Sequence, residues 1–522
     1  MPHASPRYAS VPGRGGHHPV VIVGGGLVGL TLALDLAQQA VPVVLLDDDD
    51  TVSTGSRAIC MAKRSLEIYG RLGLGRRMLA KGVTWNVGRV FFRDRHLFEF
   101  NLLPEDGHQY PAFINLQQYY AEEWLVEACA ATGRVDLRWT HRVTAVHPQQ
   151  AGAAVTVAAP DGTYELTADW LLACDGARSQ VRRTMDLPFV GRVFQDRFLI
   201  ADVVMAADFP TERWFWFDPP FHRRQSALLH KQPDNVWRID LQLGWDADPE
   251  REILPERVRS RVQAMLGPEA KFELEWVSIY TFRCRRLALF VHGRVVFVGD
   301  SAHQVSPFGA RGGNGGVQDA DNLAWKLAAV LQGRAPADLV RTYDDERIPA
   351  ADENILHSTR ATDFITPKTE AARAYRDAVL MLAEKHAFAR GMVNSGRLSR
   401  PYAAVGSPLN APDTDTWPGA LPPGSPGLDA PVERGWLLDR LKGFTLLRFD
   451  DRTADARGAA WHAVTLPPSG LAAQRYGASP GACVLFRPDQ HVLANFRTYD
   501  PARVQAAVDH ALMRPASLER VA

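Results

Sequence analysis

The sequence contains few cysteines and no excess of charge of either sign. Only 5 of its 522 residues are cysteine, and none has the spacing of a CxxC pair or of a metal site, so we expect no structural disulfide and no metal centre. Such cysteine use fits a reducing compartment, and a cytoplasmic protein is predicted. Lysine and arginine total 59 and aspartate and glutamate also total 59, a balance that argues against nucleic acid as a partner.

Long apolar runs are also missing. Residues 20–37 come nearest to one, but three consecutive glycines and Asp35 interrupt them, so we expect neither a transmembrane helix nor a membrane partner. Residues 1–18 contain no acidic side chain and no apolar core, which predicts a flexible tail and not a signal peptide. A chain of 522 residues has room for about two to four domains.

A glycine fingerprint, formed by Gly24, Gly26 and Gly29, stands between the first two apolar runs. A helix is predicted over residues 30–39, and Asp47 ends the second run. Strand, G-x-G-x-x-G, helix, strand and acid in this order predict a turn whose backbone reaches a pyrophosphate and a carboxylate that binds a ribose hydroxyl. An acid at the ribose position favours FAD or NAD over NADP, and the alternative is a tight turn without a ligand.

A second glycine-rich stretch follows the apolar run 295–298. That run ends in Gly299 and Asp300, a loop rich in glycine and proline comes next, and the apolar positions of residues 317–328 have helical spacing. The buried strand would deliver a carboxylate that can accept hydrogen bonds from a polyol chain. The helix, expected to start near Gly315, would bring partial positive charge and free N–H groups to the same place, where they would stabilise an anionic flavin. A structural turn alone is the alternative.

Two further segments complete the pattern up to residue 290. A third apolar run, residues 171–174, ends in Asp175 and Gly176 with basic residues behind it. Residues 186–290 carry aromatic, amphipathic runs, which predict a mainly antiparallel sheet that forms a wall for an aromatic ligand.

The three motifs together resemble those of the single-component FAD-dependent aromatic hydroxylases, the p-hydroxybenzoate/phenol hydroxylase group of flavin monooxygenases. The resemblance covers about residues 19–390 and includes the stretches 300–303 and 322–327. The last part of the chain resembles the thioredoxin-like domain of the 3-(3-hydroxyphenyl)propionate hydroxylase-like branch. It contains Cys483 alone, so packing or dimerisation is expected of it and not dithiol chemistry.

The resemblance implies an α/β fold with a Rossmann-like FAD-binding domain, an inserted, mainly antiparallel β-sheet substrate domain and a C-terminal thioredoxin-like domain. The segments implied are a flexible tail (1–18), the first part of the FAD-binding domain (19–185, with an inserted hairpin at about 86–110), the substrate domain (186–290), the second part of the FAD-binding domain with further helices (291–400), a linker (401–432) and the thioredoxin-like domain (433–522).

The resemblance also implies roles for individual residues, from the FAD pyrophosphate to the pyrimidine edge of the flavin and the groove that the nicotinamide cofactor visits. The implied cofactor-binding residues are Gly24, Gly26, Gly29, Asp47, Arg57, Gln118, Asp175, Asp300, Gly312, Gly313 and Asn314. The candidate catalytic residues are His303, Pro307 and Gly312, and the candidate substrate-binding residues are Trp214, Trp216, Arg238 and Phe308.

The implied activity is hydroxylation of a substituted phenol or an aromatic acid through a C4a-hydroperoxyflavin, with FAD as cofactor, NAD(P)H as co-substrate and dioxygen as oxidant. The sequence has no second strand–GxGxxG–helix unit to hold the nicotinamide cofactor. A homodimer is the expected assembly. The alternatives are a flavin halogenase or a peroxide-releasing oxidase and, from another class, a flavin-binding structural or redox-sensing protein without turnover.

Two features depart from the pattern of the hydroxylases. Ile59 stands where many phenol hydroxylases carry an acid, so a base that deprotonates a phenol must come from elsewhere. The stretch 214–219 is similar to the W-x-W-x-I-P motif of flavin halogenases but has Asp218 in place of Ile, and we interpret it as a coincidence. The candidate bases are His222, His230 and His303, and the candidates to pair with an acidic substrate are Arg213, Arg223 and Arg238.

Overall fold

The computed structural model describes residues 5–55, 58–393, 398–451 and 460–514. Its strands are β1 (Gly16–Val23), β2 (Val43–Leu46), β3 (Cys60–Ala62), β4 (Val83–Trp85), β5 (Val87–Phe92), β6 (Arg95–Asn101), β7 (Phe113–Asn115), β8 (Val135–Arg138), β9 (Arg142–Gln149), β10 (Gly152–Ala159), β11 (Gly162–Ala173), β12 (Phe189–Val204), β13 (Arg213–Phe217), β14 (Ser226–Lys231), β15 (Val236–Leu243), β16 (Glu273–Leu287), β17 (Val291–His292), β18 (Val295–Phe297), β19 (His303–Gln304), β20 (Thr445–Phe449), β21 (His462–Leu466), β22 (Cys483–Phe486) and β23 (Val492–Phe496). Its helices are α1 (Leu27–Gln38), α2 (Lys63–Arg71), α3 (Gly75–Lys81), α4 (Gln118–Ala131), α5 (Gln180–Thr184), α6 (Pro249–Glu252), α7 (Pro255–Leu266), α8 (Gly312–Leu331), α9 (Thr342–Ile365), α10 (Glu370–Ala383), α11 (Ala387–Val393), α12 (Leu437–Arg440), α13 (Gly470–Arg475) and α14 (Pro501–Ala511). Within these ranges, no helix combines the length and the apolar character that crossing a bilayer requires.

The first sheet brings the three sequence motifs together. Its main path is β17–β18–β11–β1–β2–β8, in which the pairs from β18 to β8 are parallel, and β10 and β9 extend it from β11 as antiparallel strands. The final residues of β1 and all of β2 are buried, as expected for strands covered on both faces. Helices α1, α4 and α8 pack together beside the sheet. Because the carboxyl ends of parallel strands share one edge, Gly24, Asp175 and Asp300 lie at that edge.

The second sheet is mainly antiparallel, as predicted. Its strands follow the order β19–β16–β12–β15–β14–β13–β5–β6, with one parallel pair, β13 and β5. The predicted hairpin is β5–β6, and it extends the edge of this sheet instead of standing apart in the first domain. One face packs against Val258 and Val262 of α7, and the opposite face packs against Phe308 and Ile365.

The described part of the predicted flexible tail packs against the first domain. Tyr8 stacks on Trp139 with 4.5 Å between the ring centres, and its N–H donates to the Asp50 carbonyl at 2.7 Å. The N–H of Gly13 donates to Asp161, and β1 already begins at Gly16. The polar composition of residues 1–18 therefore did not reveal these contacts, which depend on distant parts of the chain.

The C-terminal module contains a four-stranded sheet in the order β21–β20–β22–β23. The pair β20–β21 is parallel and the other two pairs are antiparallel, and the buried Cys483 begins β22. The proline- and glycine-rich segment 401–432 runs along this sheet, since Ala411 donates to the Leu493 carbonyl and Gly424 to that of Val492. The thioredoxin-like character of the module stays a prediction.

Buried ion pairs join this module to helices α8 and α9. Arg487 pairs with Glu346 and with Asp489, the latter at 2.7 Å, and Lys326 contacts Glu346 at 2.7 Å. All of these side chains are buried, and Arg64 donates to the Asp489 carbonyl at 2.7 Å. Burial alone would raise the pKa of Glu346, but the charges of Arg487 and Lys326 hold it well below its usual range. The carboxylate therefore stays ionised between the two parts of the chain.

Replacing Arg487 with Met should lower the free energy of unfolding by about 3–5 kcal/mol, because it leaves two buried carboxylates without their shared cation. Urea unfolding followed by tryptophan fluorescence measures the change. The matched control is Arg434→Met, at an exposed arginine, which should shift stability by less than about 0.5 kcal/mol. Equal, small losses in the two variants would contradict the importance of the ion pairs.

Candidate functional site

A cavity of about 970 Å³ lies between the motif edge of the first sheet and the inner face of the second. The first sheet contributes the residues that follow β1, β2, β11 and β18, and helix α8 contributes its first turn. The second sheet contributes alternate residues of β12, β14, β15 and β16. The volume lies at the upper end of the range for small-molecule sites.

The glycine fingerprint forms the turn between β1 and α1. Gly24 has φ +107°, and a Cβ added to it would lie 2.5 Å from the Cys174 carbonyl oxygen. A Cβ on Gly29 would lie 2.0 Å from the Gly24 carbonyl oxygen, so α1 can approach the turn only with glycine there. Gly26, by contrast, has ordinary space on its Cβ side and lines the cavity. The backbone is therefore open to a ligand at Gly26.

Two carboxylates hold this turn. Asp47 accepts hydrogen bonds from the N–H groups of Gly25 and Asp49, and burial raises the pKa of Asp47 to about 6. Glu122 of α4 accepts from the N–H groups of Leu27 and Ser53, each at 2.9 Å, and burial raises its pKa as well. The sequence analysis did not single out Glu122, although a glutamate on the apolar face of a helix was a usable signal.

Gln118 begins α4 and lines the cavity. Its side-chain oxygen accepts from the Ala58 N–H at 3.0 Å, and its side-chain nitrogen donates to Glu122 at 2.8 Å and to the Ser53 hydroxyl at 3.2 Å. Gln118 thus ties the segment before β3 to the fingerprint. Arg57, the other residue predicted at the phosphates, lies outside the described residues.

Asp300 and the start of α8 form the next part of the wall. The helix begins at Gly312, earlier than the predicted start near Gly315. Its first internal hydrogen bond runs from the Gly315 N–H to the Arg311 carbonyl at 2.7 Å, so the preceding amides have no acceptor within the helix. Asp300, Gly312 and Gly313 all line the cavity. Partial positive charge and a carboxylate therefore lie side by side.

Asn314 also lines the cavity, but its side-chain amide is fully engaged within the protein. Its nitrogen donates to the carbonyls of Cys60 and Ala310, and its oxygen accepts from the Ala62 N–H and the Ser65 hydroxyl, at 2.6–2.8 Å. An amide offers two donors and two acceptor sites, and all are used. Asn314 can therefore contact a ligand through its backbone only.

Asp175 and Gly176 follow β11 and line the cavity. One carboxylate oxygen of Asp175 accepts from the Val181 N–H at 3.0 Å, whereas the other is buried without a hydrogen-bond partner in the described structure. Burial raises the pKa of Asp175. A Cβ on Gly176 would meet no atom within 4 Å, so this corner is open.

His303, a predicted catalytic residue and candidate base, lines neither described cavity. Its Nε2 lies 2.6 Å from Asp319 beneath α8, and Arg347 binds the second oxygen of Asp319 at 2.6 Å. Burial alone would raise the pKa of Asp319, but the charges of these two partners lower it to about 2. The position of His303 therefore contradicts a catalytic role, and it anchors α8 instead. Sequence proximity to Asp300 did not reveal that the chain turns away from the cavity.

Trp214 and Trp216, predicted to bind substrate, also lie outside the lining of both cavities. They stack with Phe91 on the other face of the second sheet, at 5.3 and 5.1 Å between ring centres. Side chains alternate along a strand, so the neighbouring positions Arg213 and Phe215 face the cavities instead. An unbroken aromatic run hides this alternation.

Pro307, Phe308 and Arg238 do line the main cavity. The Arg238 guanidinium binds both oxygens of Asp202, at 2.9 and 2.8 Å, and so its charge is neutralised within the protein. Of the three candidate bases, His230 alone lines the cavity, since the His222 side chain contacts the Gln242 carbonyl.

Asp240, which the sequence analysis missed, lies beside His230. Its carboxylate oxygen is 3.8 Å from His230 Nε2, and its other oxygen is buried without a partner among the described residues. Burial raises the pKa of Asp240 to about 6, although the charges of Arg238 and Arg213 oppose this. The sequence signal was weak: Arg238 and Asp240 are two positions apart on β15, which places them on one face.

This arrangement, a glycine-rich turn and two helix starts at one edge of a parallel sheet, defines a dinucleotide-binding α/β protein. Residues 17–358 match the family model described as FAD binding domain, and the chain belongs to that family. The resemblance to the FAD-dependent aromatic hydroxylases is thereby confirmed.

Two relatives and one solved structure illustrate the similarity. The 6-methylpretetramide 4-monooxygenase of Streptomyces rimosus is 35% identical over 363 residues, which is 68% of this chain and 63% of the relative. The 3-(3-hydroxy-phenyl)propionate/3-hydroxycinnamic acid hydroxylase of Mycolicibacterium smegmatis is 28% identical over 361 residues, 69% of this chain and 64% of the relative. The flavin-dependent monooxygenase PieE, solved with FAD and substrate, has a TM-score of 0.80 at 22% identity and covers 96% of this chain and 99% of its own. The matches to the two relatives thus span a little less than two thirds of their length.

The residues present fit FAD as the cofactor. Gly26 and Gly176 leave backbone exposed to the cavity, and Asp175 has a buried oxygen without a partner. The carboxylates of Asp47 and Asp300 lie at separate places along the wall, as a dinucleotide with two polyol parts requires.

Replacing Asp300 with Ala should weaken FAD binding about ten- to hundredfold, since it removes a charge-assisted hydrogen bond of about 1.5–3 kcal/mol. Fluorescence titration of the FAD-free protein measures the dissociation constant. The matched control is Asp345→Ala, at an exposed acid of α9, which should bind FAD normally. Normal FAD affinity in the Asp300 variant would sink the assignment of this carboxylate.

Proposed function

We propose that this protein is an FAD-dependent monooxygenase that uses NAD(P)H and dioxygen to hydroxylate a substituted phenol or an aromatic acid. The shared cavity supports this proposal most strongly, because the motif edge of one sheet faces the aromatic and polar inner face of the other. A flavin held at the first wall would face a ring held at the second. The names of the two relatives, a monooxygenase and a hydroxylase, point to the same reaction class.

The chain's own residues would hold the cofactor along its length. Asp47 and the backbone at Gly26 would bind the adenosine and pyrophosphate end, and Asp300 the ribityl chain. The amides of Gly312 and Gly313 would face the pyrimidine edge, where the start of α8 stabilises negative charge. When bound, FAD supplies electron transfer from NAD(P)H and the activation of dioxygen for attack on an electron-rich ring carbon.

Apolar side chains would keep water from the reacting ring. Phe198 and Leu228 from the second sheet and Phe308 from the loop before α8 line this part of the cavity, and all three are buried. Water exclusion preserves reactive oxygen species and strengthens the electrostatic contacts within the site.

Asp240 would accept the proton of a phenol. Its pKa of about 6 places an ionised, unpartnered carboxylate oxygen in the cavity at neutral pH. His230 is the weaker base, because burial and the nearby arginines hold its pKa well below the usual range. Asp240 thereby takes the role that an acid at the position of Ile59 would have in many phenol hydroxylases.

NAD(P)H would visit the corner next to Asp175 and Gly176. Arg178 and Arg183 are exposed there and line the same cavity, so they can meet the phosphates of a transient nicotinamide cofactor. The halogenase alternative lacks support from the site, since Trp214 and Trp216 lie outside it. A cytoplasmic location and a homodimer remain predictions.

The proposal is tested by incubating purified, FAD-loaded protein with NADH or NADPH and a panel of phenols and phenolic acids. We expect at least one compound to stimulate NAD(P)H oxidation and to yield hydroxylated product, with anaerobic reactions as the control. Peroxide as the sole product across the panel, or product that requires chloride and a separate reductase, would contradict hydroxylation.

Asp240→Asn should lower the rate of phenol hydroxylation about hundredfold while FAD stays bound, because general base catalysis typically contributes at least that factor. In the parent protein the rate should rise with pH through about 6, as Asp240 ionises, and the variant should lack this rise. Stopped-flow product analysis between pH 5 and pH 8 measures both, with the exposed Asp246→Asn as the matched control. An unchanged pH profile in Asp240→Asn would exclude this carboxylate as the base.

A further inference from the structure

A second cavity, of about 340 Å³, adjoins the main one. Three residues line both cavities, namely Arg213, Phe308 and Arg311, so the two are neighbours that share a wall. Phenylalanines supply much of the remaining surface, from β6, β13 and α9: Phe100, Phe215, Phe217 and Phe364. Such walls suit the face or edge of an aromatic ring.

Arg213 is the member of the shared wall whose charge has no counterion. Among the described residues it forms no hydrogen bond and no ion pair, and its guanidinium lies 6.0 Å from the centre of the Trp85 ring. Arg238, in the main cavity, is neutralised by Asp202, and Arg311 donates to Asn354 at 3.1 Å. A half-buried guanidinium without a partner is a ready site for an anion, above all for a carboxylate that can bind it through two oxygens.

The charges around the second cavity point the same way. The described residues that line it include no aspartate and no glutamate, whereas Arg360 and His357 add basic side chains to Arg213. Arg89 also lines it but is paired with Glu212 at 3.1 Å. A ligand that reached this cavity would therefore meet aromatic surface with an excess of positive charge.

We propose that Arg213 binds an acidic group of the substrate and that the substrate extends past Phe308 into the second cavity. This inference deepens the proposed function and rests on it. The substrate class is a phenol that carries a carboxylate or a similarly acidic group and a second ring. The phenol lies in the main cavity, the acidic group at the shared wall and the second ring among the phenylalanines. Arg213 is then a specificity-determining residue.

The test compares the binding of 6-hydroxy-2-naphthoate with that of its neutral amide, 6-hydroxy-2-naphthamide, to the oxidised holoenzyme by calorimetry. The parent protein should bind the acid more tightly than the amide. Arg213→Gln should weaken the acid at least about tenfold, the loss of one charge-assisted contact, and change the amide less than about threefold. Arg213→Lys, which keeps the charge and loses the planar fork, should fall between.

Arg223→Gln is the matched control, since Arg223 is exposed and lines neither cavity. It should leave both affinities unchanged. Ala361→Phe fills the second cavity from α9 and tests the extension independently. This variant should weaken 6-hydroxy-2-naphthoate about tenfold and leave the single-ring 4-hydroxybenzoate unaffected.

Several outcomes would overturn the inference: no preference for acid over amide, equal loss of both in Arg213→Gln, or equal loss of the one-ring and two-ring acids in Ala361→Phe. NAD(P)H oxidation and product formation, measured on the same samples, separate this inference from the proposed function. Acid binding that depends on Arg213 without any hydroxylated product would keep the anion site and reject the hydroxylase. Hydroxylation of acid and amide alike would keep the hydroxylase and reject the anion site.

Discussion

The site depends on the parallel pairing of β1, β11 and β18. Their registers align Val23 with Ala173 and Ala173 with Phe297, so the residues that follow are level at one edge of the sheet. The turn at Gly24 passes so close to the Cys174 carbonyl that any side chain there would collide with it. This close approach fixes where α1 begins, and the Gly299–Asp300 turn fixes the acid next to the start of α8. Backbone amides, and not long side chains, thus provide most of the proposed cofactor wall.

The second wall depends on a different constraint, the alternation of side chains along antiparallel strands. One face of that sheet buries apolar residues against α7 and the other places Asp240, His230 and Arg213 in the cavities. A shift by one residue would exchange the two faces. The polar residues are affordable in a buried position because Asp202 neutralises Arg238, while Asp240 and Arg213 keep capacity for a ligand.

The sequence predicted the parts of the fold that local patterns determine. The glycine turns, the acids at strand ends and the mainly antiparallel sheet all carry short-range signals, and Gly24, Asp47 and Asp300 line the predicted cavity. Long-range contacts were out of reach. The side chain of Asn314 serves β3, His303 pairs with Asp319, and Tyr8 stacks on Trp139, each through a partner that no local pattern indicates. The aromatic run at β13 hid its alternation, so the wrong two residues were predicted to bind substrate.

The central claim is that one cavity holds the cofactor at the first sheet and the substrate ring at the second. A crystal structure of the FAD-loaded protein tests it most directly. The account predicts the pyrophosphate at Gly26 and the start of α1, the ribityl chain at Asp300, and the flavin ring between Gly312 and the inner face of the second sheet. A flavin ring that lay outside this cavity, or that turned away from the second sheet, would contradict it.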